Sequence, residues 1–76
     1  MQVFVKYNKT VIFDVIDTMP GMELQIMVSK KFNIPIDSFY LKYATKIIYE
    51  KPLIEYNITE CSTITVELRR FYKQLL

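Results

Sequence analysis

The sequence predicts an α+β domain in which a sheet, with strands from both ends of the chain, packs on a single helix. Residues 62–69 alternate strictly between apolar side chains and threonine or glutamate, and residues 1–6 show the same period of two. That period is typical of strands with one buried and one solvated face. Residues 20–32 instead repeat apolar side chains at helical spacing. We therefore expect the two terminal strands to pair, with the C-terminal strand at the centre of the sheet.

The first two strands are expected to form a hairpin. Residues 1–6 and 10–15 both alternate, and the turn between them contains Asn8, which tolerates the left-handed conformation of tight turns. The same alternation that turns the valines inward places Phe4 and Ile12 on the outer face. Two large apolar side chains are therefore expected to point away from the core.

The helix is expected to run from about residue 20 to residue 32. Asp17 or Thr18 can accept hydrogen bonds from its first amides, and Pro20 suits its first turn. Asn33 suits its C-terminal end, since asparagine readily adopts the left-handed conformation found there. Its buried face is expected to carry Leu24, Val28 and either Met22 or Phe32.

Two short strands and an irregular connection precede the last strand. Residues 39–44 and 46–49 are predicted as strands with Thr45 between them. Residues 52–58 are apolar without a clear period, so they are expected to hold a long connection against the core. The expected anchors of this connection are Leu53, Tyr56 and Ile58.

Length and composition indicate one small domain that is stabilised by packing. Its 76 residues are near the lower limit for a core without disulfides or metals, and 51% of them are apolar. A single cysteine cannot form an internal disulfide, which favours a reducing compartment. With no signal-peptide pattern and no apolar run of about 18 residues, we expect a soluble monomer in the cytoplasm or nucleus, without a membrane partner. The domain is expected to span residues 1–70, followed by a tail over residues 71–76.

Catalysis and metal binding are not expected. The chain has no histidine, so Cys61 lacks the base that nucleophilic chemistry normally needs. One cysteine without histidine also excludes the usual kind of protein zinc site. Gly21 is the only glycine, which excludes a glycine-rich phosphate-binding loop. We therefore predict no enzymatic activity and no cofactor.

Many residues match a known family position by position. Residues 1–6 differ from the opening of ubiquitin by one methylene, and small deletions fall in the first hairpin and before Pro52. Further matches are Ile34, Pro35, Asp37, Leu41, Ala44, Lys46, Leu53, Tyr56, Asn57, Ile58, Ser62, Thr63, Leu68 and Arg69. Over essentially its whole length the chain thus resembles the ubiquitin-like family. The resemblance implies a ubiquitin-like β-grasp fold, with a mixed sheet of four to five strands packed on one helix.

The resemblance also implies a non-enzymatic function. Members of the family either are attached to lysines through a C-terminal diglycine or serve as docking domains that are never cut. Here Tyr72 and Lys73 stand where the two glycines would be. We therefore expect a protein-interaction module that is not competent for conjugation, with partners among proteins, including those of the ubiquitin–proteasome pathway.

Two other hypotheses remain open. The chain could be a covalent modifier that needs a precursor or a divergent activating enzyme. It could also bind nucleic acid, because residues 69–73 interleave basic and aromatic side chains. The net charge is only +2, and one short basic run does not make a binding platform, so nucleic acid is the weakest hypothesis.

The resemblance places the candidate recognition residues on the last and third strands. The family's recognition surface is an apolar patch, and its isoleucine, histidine and valine positions hold Lys42, Thr65 and Glu67 here. The leucine at the tip of the first hairpin has no counterpart. We expect Lys42 and Glu67 to face each other as an exposed pair. Any partner of this face should then be polar and bind in a salt-sensitive way.

Three further candidates follow from the sequence. Phe4 and Ile12 form a possible apolar contact patch, since exposed apolar patches often mark binding sites. Phe71 and Tyr72 belong to an apolar tail that is a candidate docking segment. Lys46 matches the lysine on which ubiquitin chains most often grow, and as an exposed loop lysine it is a candidate modification site.

We predict that ubiquitin-activating enzyme will not charge this chain. A glycine terminus threads the narrow channel of an activating enzyme because it has no side chain, whereas Tyr72 and Lys73 would clash there. The chain is incubated with activating enzyme and ATP, and ubiquitin in a parallel reaction shows that the enzyme is active. A thioester adduct of this chain on a non-reducing gel would contradict the prediction.

Overall fold

Residues 1–69 form an α+β domain of five strands and one α-helix in the structure, a computed structural model that describes these residues. The strands are β1 (Gln2–Lys6), β2 (Thr10–Asp14), β3 (Phe39–Tyr43), β4 (Lys46–Ile48) and β5 (Thr63–Leu68). The helix α1 spans Gly21–Phe32, and short 3₁₀ helices span Ile36–Ser38 and Leu53–Tyr56. The expected domain is thus described up to residue 69, and the expected tail lies outside the described residues.

The five strands make one mixed sheet in the order β2-β1-β5-β3-β4. The last strand, β5, lies at its centre, parallel to β1 and antiparallel to β3. The parallel pairing begins where the Phe4 amide donates to the Ser62 carbonyl over 2.8 Å. Pairing of the two terminal strands and the central position of β5, both expected from the alternation, are therefore confirmed.

The core lies between the sheet and α1. Ile64 and Val66 of β5 are buried, as are Leu24 and Val28 of the helix. The alternation predicts that Leu68 is buried as well, but it is 51% exposed. The pairing of β5 with β1 ends opposite Thr65, so the last residues of β5 have a neighbouring strand only on the β3 side. The C-terminal end of β5 therefore extends beyond the core between the sheet and α1.

The first hairpin closes without a left-handed residue. Three residues connect β1 to β2, and the Tyr7 amide donates to the Lys9 carbonyl over 3.0 Å. Asn8 is not among the residues with positive φ, so its expected conformation is wrong. The β3–β4 turn, in contrast, does contain a left-handed residue, since Ala44 has a φ of 55°.

The two ends of α1 are stabilised in different ways. Asn33 is left-handed, and its amide donates to the Ser29 carbonyl, which confirms the expected C-terminal end. The expected side-chain cap from Asp17 or Thr18 is wrong: Pro20 is the N-cap residue and no side chain caps the helix.

Backbone contacts with a later segment replace the missing cap. The Gly21 amide donates to the Lys51 carbonyl, and the Leu53 amide donates to the Met19 carbonyl, both over 2.9 Å. The loop before α1 is thereby tied to the connection before β5. The expected anchors of that connection are confirmed, since Leu53, Tyr56 and Ile58 are all buried. On the helix, Phe32 is half-buried, whereas Met22 is exposed.

We predict that Gly21→Ala destabilises the domain. The added methyl group would overlap the backbone oxygen of Tyr49 and the side chain of Ile48, and a backbone oxygen within a packed segment cannot move aside. Alanine in an exposed helix position would instead stabilise it by about 1 kcal/mol. We expect a net loss of about 1–3 kcal/mol in the free energy of unfolding, measured by urea titration.

The matched control is Met22→Ala, at the next position of the helix and exposed. We expect this substitution to change the free energy of unfolding by no more than about 0.5 kcal/mol. A higher urea midpoint for Gly21→Ala than for the unchanged chain would show that the helix is not packed against Tyr49 in this way.

Candidate functional site

The outer face of the sheet, turned away from α1, carries a row of side chains across all five strands, and four of the five are polar. Strand pairing aligns one residue of each strand, and alternation turns all of them outward. In spatial order from β2 to β4, this lysine row consists of Thr10, Lys6, Thr65, Lys42 and Ile47.

Thr65 lies at the centre of the lysine row, directly between Lys6 and Lys42. Both lysines are exposed and Thr65 is half-buried. Because neighbouring strands are about 4.8 Å apart, the two lysine backbones lie about 10 Å apart, and both flexible side chains can reach one anion above Thr65. The arrangement is thus suited to bind a negatively charged group.

Neither lysine of this row is paired with a carboxylate of residues 1–69. Among residues 1–69 the ion pair within 4.0 Å joins the Met1 ammonium to the Asp14 carboxylate, at 3.8 Å. Lys6 and Lys42 therefore keep their charges available to a partner, and the cost of stripping water from them has no internal compensation.

The expected pairing of Lys42 with Glu67 is wrong. The register places Glu67 opposite Tyr40, whereas Lys42 is opposite Thr65, so the two charged residues are only diagonal neighbours. Beside Glu67, the guanidinium of Arg69 lies 5.5 Å from the centre of the Tyr40 ring, at the distance of a cation–π contact. The structure therefore brings Lys42, Thr65 and Glu67 onto one face, but Lys42 and Glu67 do not form the expected ion pair.

Phe4 and Ile12 form a second feature of the same face, one row away from the lysine row. They are directly opposite each other on β1 and β2, as expected. Ile12 is 56% exposed and Phe4 is half-buried. We call these two residues the apolar pair. Its position next to Lys6 gives the face an apolar end and a cationic end.

Lys46 does not lie in an exposed loop as expected. It is the first residue of β4 and is half-buried. Its ammonium donates a hydrogen bond of 3.2 Å to the Tyr56 carbonyl. The strand begins at Lys46, as predicted, and the contact with Tyr56 holds this side chain against the connection before β5.

The remaining chemical groups of residues 1–69 include one free thiol and one buried amide. These residues contain no cluster of three potential metal ligands. Cys61 is exposed, and its sulfur lies 3.9 Å from the Glu60 carboxylate, whereas reactive thiols normally lie beside cations. The buried amide of Gln25 donates to the Ile36 and Phe39 carbonyls and serves the fold. In this part of the chain, no helix is long and apolar enough to cross a membrane.

Sequence reasoning missed two features of the outer face, the position of Lys6 and the contact between Arg69 and Tyr40. Lys6 was not identified because its approach to Thr65 depends on the parallel register of β1 and β5, which is not visible in either strand alone. The contact between Arg69 and Tyr40 depends on the β3–β5 register in the same way. Two other candidates, Phe71 and Tyr72, lie outside the described residues.

A scan against protein-family models and a search of the curated proteins found no match to this chain.

Proposed function

We propose that this chain is a ubiquitin-like protein-interaction module with a β-grasp fold and an altered recognition face. The architecture supports the fold assignment, because one helix packs on a mixed sheet whose terminal strands pair in parallel at its centre. The sequence resemblance supports the family assignment. The module is non-enzymatic and is not conjugated, as the residues at the diglycine positions indicate.

The observation that carries this proposal is the lysine row. It occupies the face on which the ubiquitin-like family is expected to present its apolar patch. Lys42 and Thr65 are adjacent on that face, and Glu67 follows one row away. An apolar partner would have to bury Lys42 without a counter-ion, which costs about 3–5 kcal/mol when a charge is left alone. That cost is enough to abolish a weak docking interaction.

The partner of this face is therefore a protein with an acidic surface. Lys6 and Lys42 can hold one carboxylate between them, and Thr65 adds a hydroxyl donor below it. Such contacts are exposed, so they contribute mainly to specificity and to the rate of association, and salt weakens them. Proteins of the ubiquitin–proteasome pathway with acidic docking segments are the candidates that the resemblance suggests.

We predict that a ubiquitin-interacting helix does not bind this face. The helix is titrated into labelled protein and amide chemical shifts are followed. The amides of Lys42, Thr65 and Glu67 should show no saturable shift at concentrations that saturate ubiquitin in a parallel experiment. Saturable shifts centred on these three residues, with an affinity like that for ubiquitin, would contradict the proposal.

We further predict that a glutamate-rich peptide binds at the lysine row and that its affinity falls as the salt concentration rises. Its shifts should centre on Lys6, Thr65 and Lys42, and Lys42→Gln should reduce the affinity. The matched control is Lys30→Gln, which removes the same charge from an exposed position on α1. An equal loss of affinity in both variants would mean that net charge, rather than this row, attracts the peptide.

A further inference from the structure

The sheet has two edge strands, β2 and the three-residue β4, and β2 is the longer of them. The Phe4 amide donates to Ser62, and the Gln2 carbonyl accepts from the Cys61 amide over 2.7 Å, so both residues direct these groups toward β5. In an antiparallel pair, their partners then direct their own backbone groups away from β1. Those partners are Ile12 and Asp14. Within the part of the chain that the structure describes, the β2 edge therefore presents a regular series of unpaired backbone donors and acceptors.

The edge lacks most of the usual devices that prevent pairing. Natural edge strands are blocked by charged side chains, above all lysine, by proline, by bulges or by very short length, and the one charged residue of this strand, Asp14, stands at its end. Strand β2 is Thr10–Asp14, a continuous five-residue strand without proline or lysine, and its pairing with β1 has no bulge. Its central residue, Ile12, is an exposed apolar residue. Such a strand is suited to accept a further strand.

We propose that the occupant of this edge is a second copy of the same chain. Two β2 strands would pair antiparallel about a two-fold axis at Ile12, which makes one continuous sheet from both copies. Ile12 of each copy exchanges both backbone hydrogen bonds with the Ile12 of the second copy. Thr10 of each copy does the same with Asp14 of the other. All the outward-pointing backbone groups of the strand thereby find a partner.

The apolar side chains match in this register. On the outer face, the apolar pair of one copy continues into that of the other, so that Ile12 contacts Ile12 between the two Phe4 side chains. On the opposite face, Val11, which is half-buried, comes to face Phe13 of the second copy. Aromatic and β-branched cross-strand pairs stabilise sheets. The side chains on both faces therefore favour the same register.

The charges of β2 also fit a second copy. Asp14 is the acidic residue of the strand, and the two-fold axis places it opposite the neutral Thr10. The two Asp14 carboxylates lie at opposite ends of the paired strands, so like charges do not meet. Shifting the register of the two β2 strands by one residue would bring the outer face of one copy, with Ile12, next to the core face of the other.

Of the lysine row, only Thr10 lies in this pairing, and Lys6, Thr65 and Lys42 stay open, so the pairing goes beyond the proposed function and does not compete with it. A single strand pair buries less surface than a standard stable interface, which makes the dimer dependent on concentration. Dilute protein is then the monomer expected from the sequence, and concentrated protein is a dimer. Pairing brings two lysine rows into one assembly, which would strengthen binding to a partner with two acidic segments.

Cysteine crosslinking tests the register directly. In a Cys61→Ser background, Ile12→Cys should form a disulfide-linked dimer under mild oxidation, since hydrogen-bonded antiparallel residues lie about 5.5 Å apart. The matched control is Thr10→Cys in the same background, whose two copies would lie four residues apart along the strands and should not crosslink. Equal crosslinking of both variants, or crosslinking of Thr10→Cys alone, would overturn the proposal.

Sedimentation of the unchanged chain under reducing conditions tests the dimer without any substitution. The weight-average mass should rise when the concentration is raised roughly a hundredfold, as mass action requires. Ile12→Lys should abolish this rise, and Ile54→Lys, at a position of similar exposure away from the edge, should keep it. A constant monomer mass for the unchanged chain, or the same loss in both variants, would refute the pairing.

Discussion

The parallel pairing of β1 with β5 is the constraint on which the rest of the structure depends. It joins the two ends of the described chain at the centre of the sheet, and it places the inward side chains of β5 against the helix. Strand β2 pairs with β1 and β3 pairs with β5, and β4 is added at the outer edge of β3. Shifting this register by one residue would exchange the buried and solvated faces of β5. The core and the outer face are therefore fixed by the same set of backbone hydrogen bonds.

The same pairing creates the candidate site. Lys6 and Lys42 are far apart in sequence, and they become neighbours of Thr65 only because β5 lies between β1 and β3. The polar surface is thus assembled by rigid strands, with no loop that must be ordered when a partner binds, and this reduces the entropic cost of binding. Charged side chains at the centre of such a face exclude apolar partners and admit acidic ones, because only the latter supply a counter-ion.

Much of the fold could be predicted from the sequence, because alternation and helical spacing report which face of an element is buried. The central position of β5 and the end of α1 at Asn33 followed from these local signals. Contacts that depend on strand register or on backbone groups distant in sequence could not be predicted from these local signals. The relation of Lys42 to Glu67 needed the β3–β5 register, and the environment of Lys46 needed the packing of a remote connection. At the candidate site, the sequence could predict that Lys42, Thr65 and Glu67 share the outer face, but it could not predict which residue lies opposite each of them.

The proposed function is that of a ubiquitin-like module whose recognition face is polar where the family's is apolar, and placing the family's residues on this face tests that proposal most directly. The triple variant Lys42→Ile, Thr65→His and Glu67→Val places the family's residues back on the same face. Binding of a ubiquitin-interacting helix is then measured by amide chemical shifts for the variant and for the unchanged chain. We expect saturable shifts around these positions in the variant alone. A folded variant that binds no better than the unchanged chain would contradict the account.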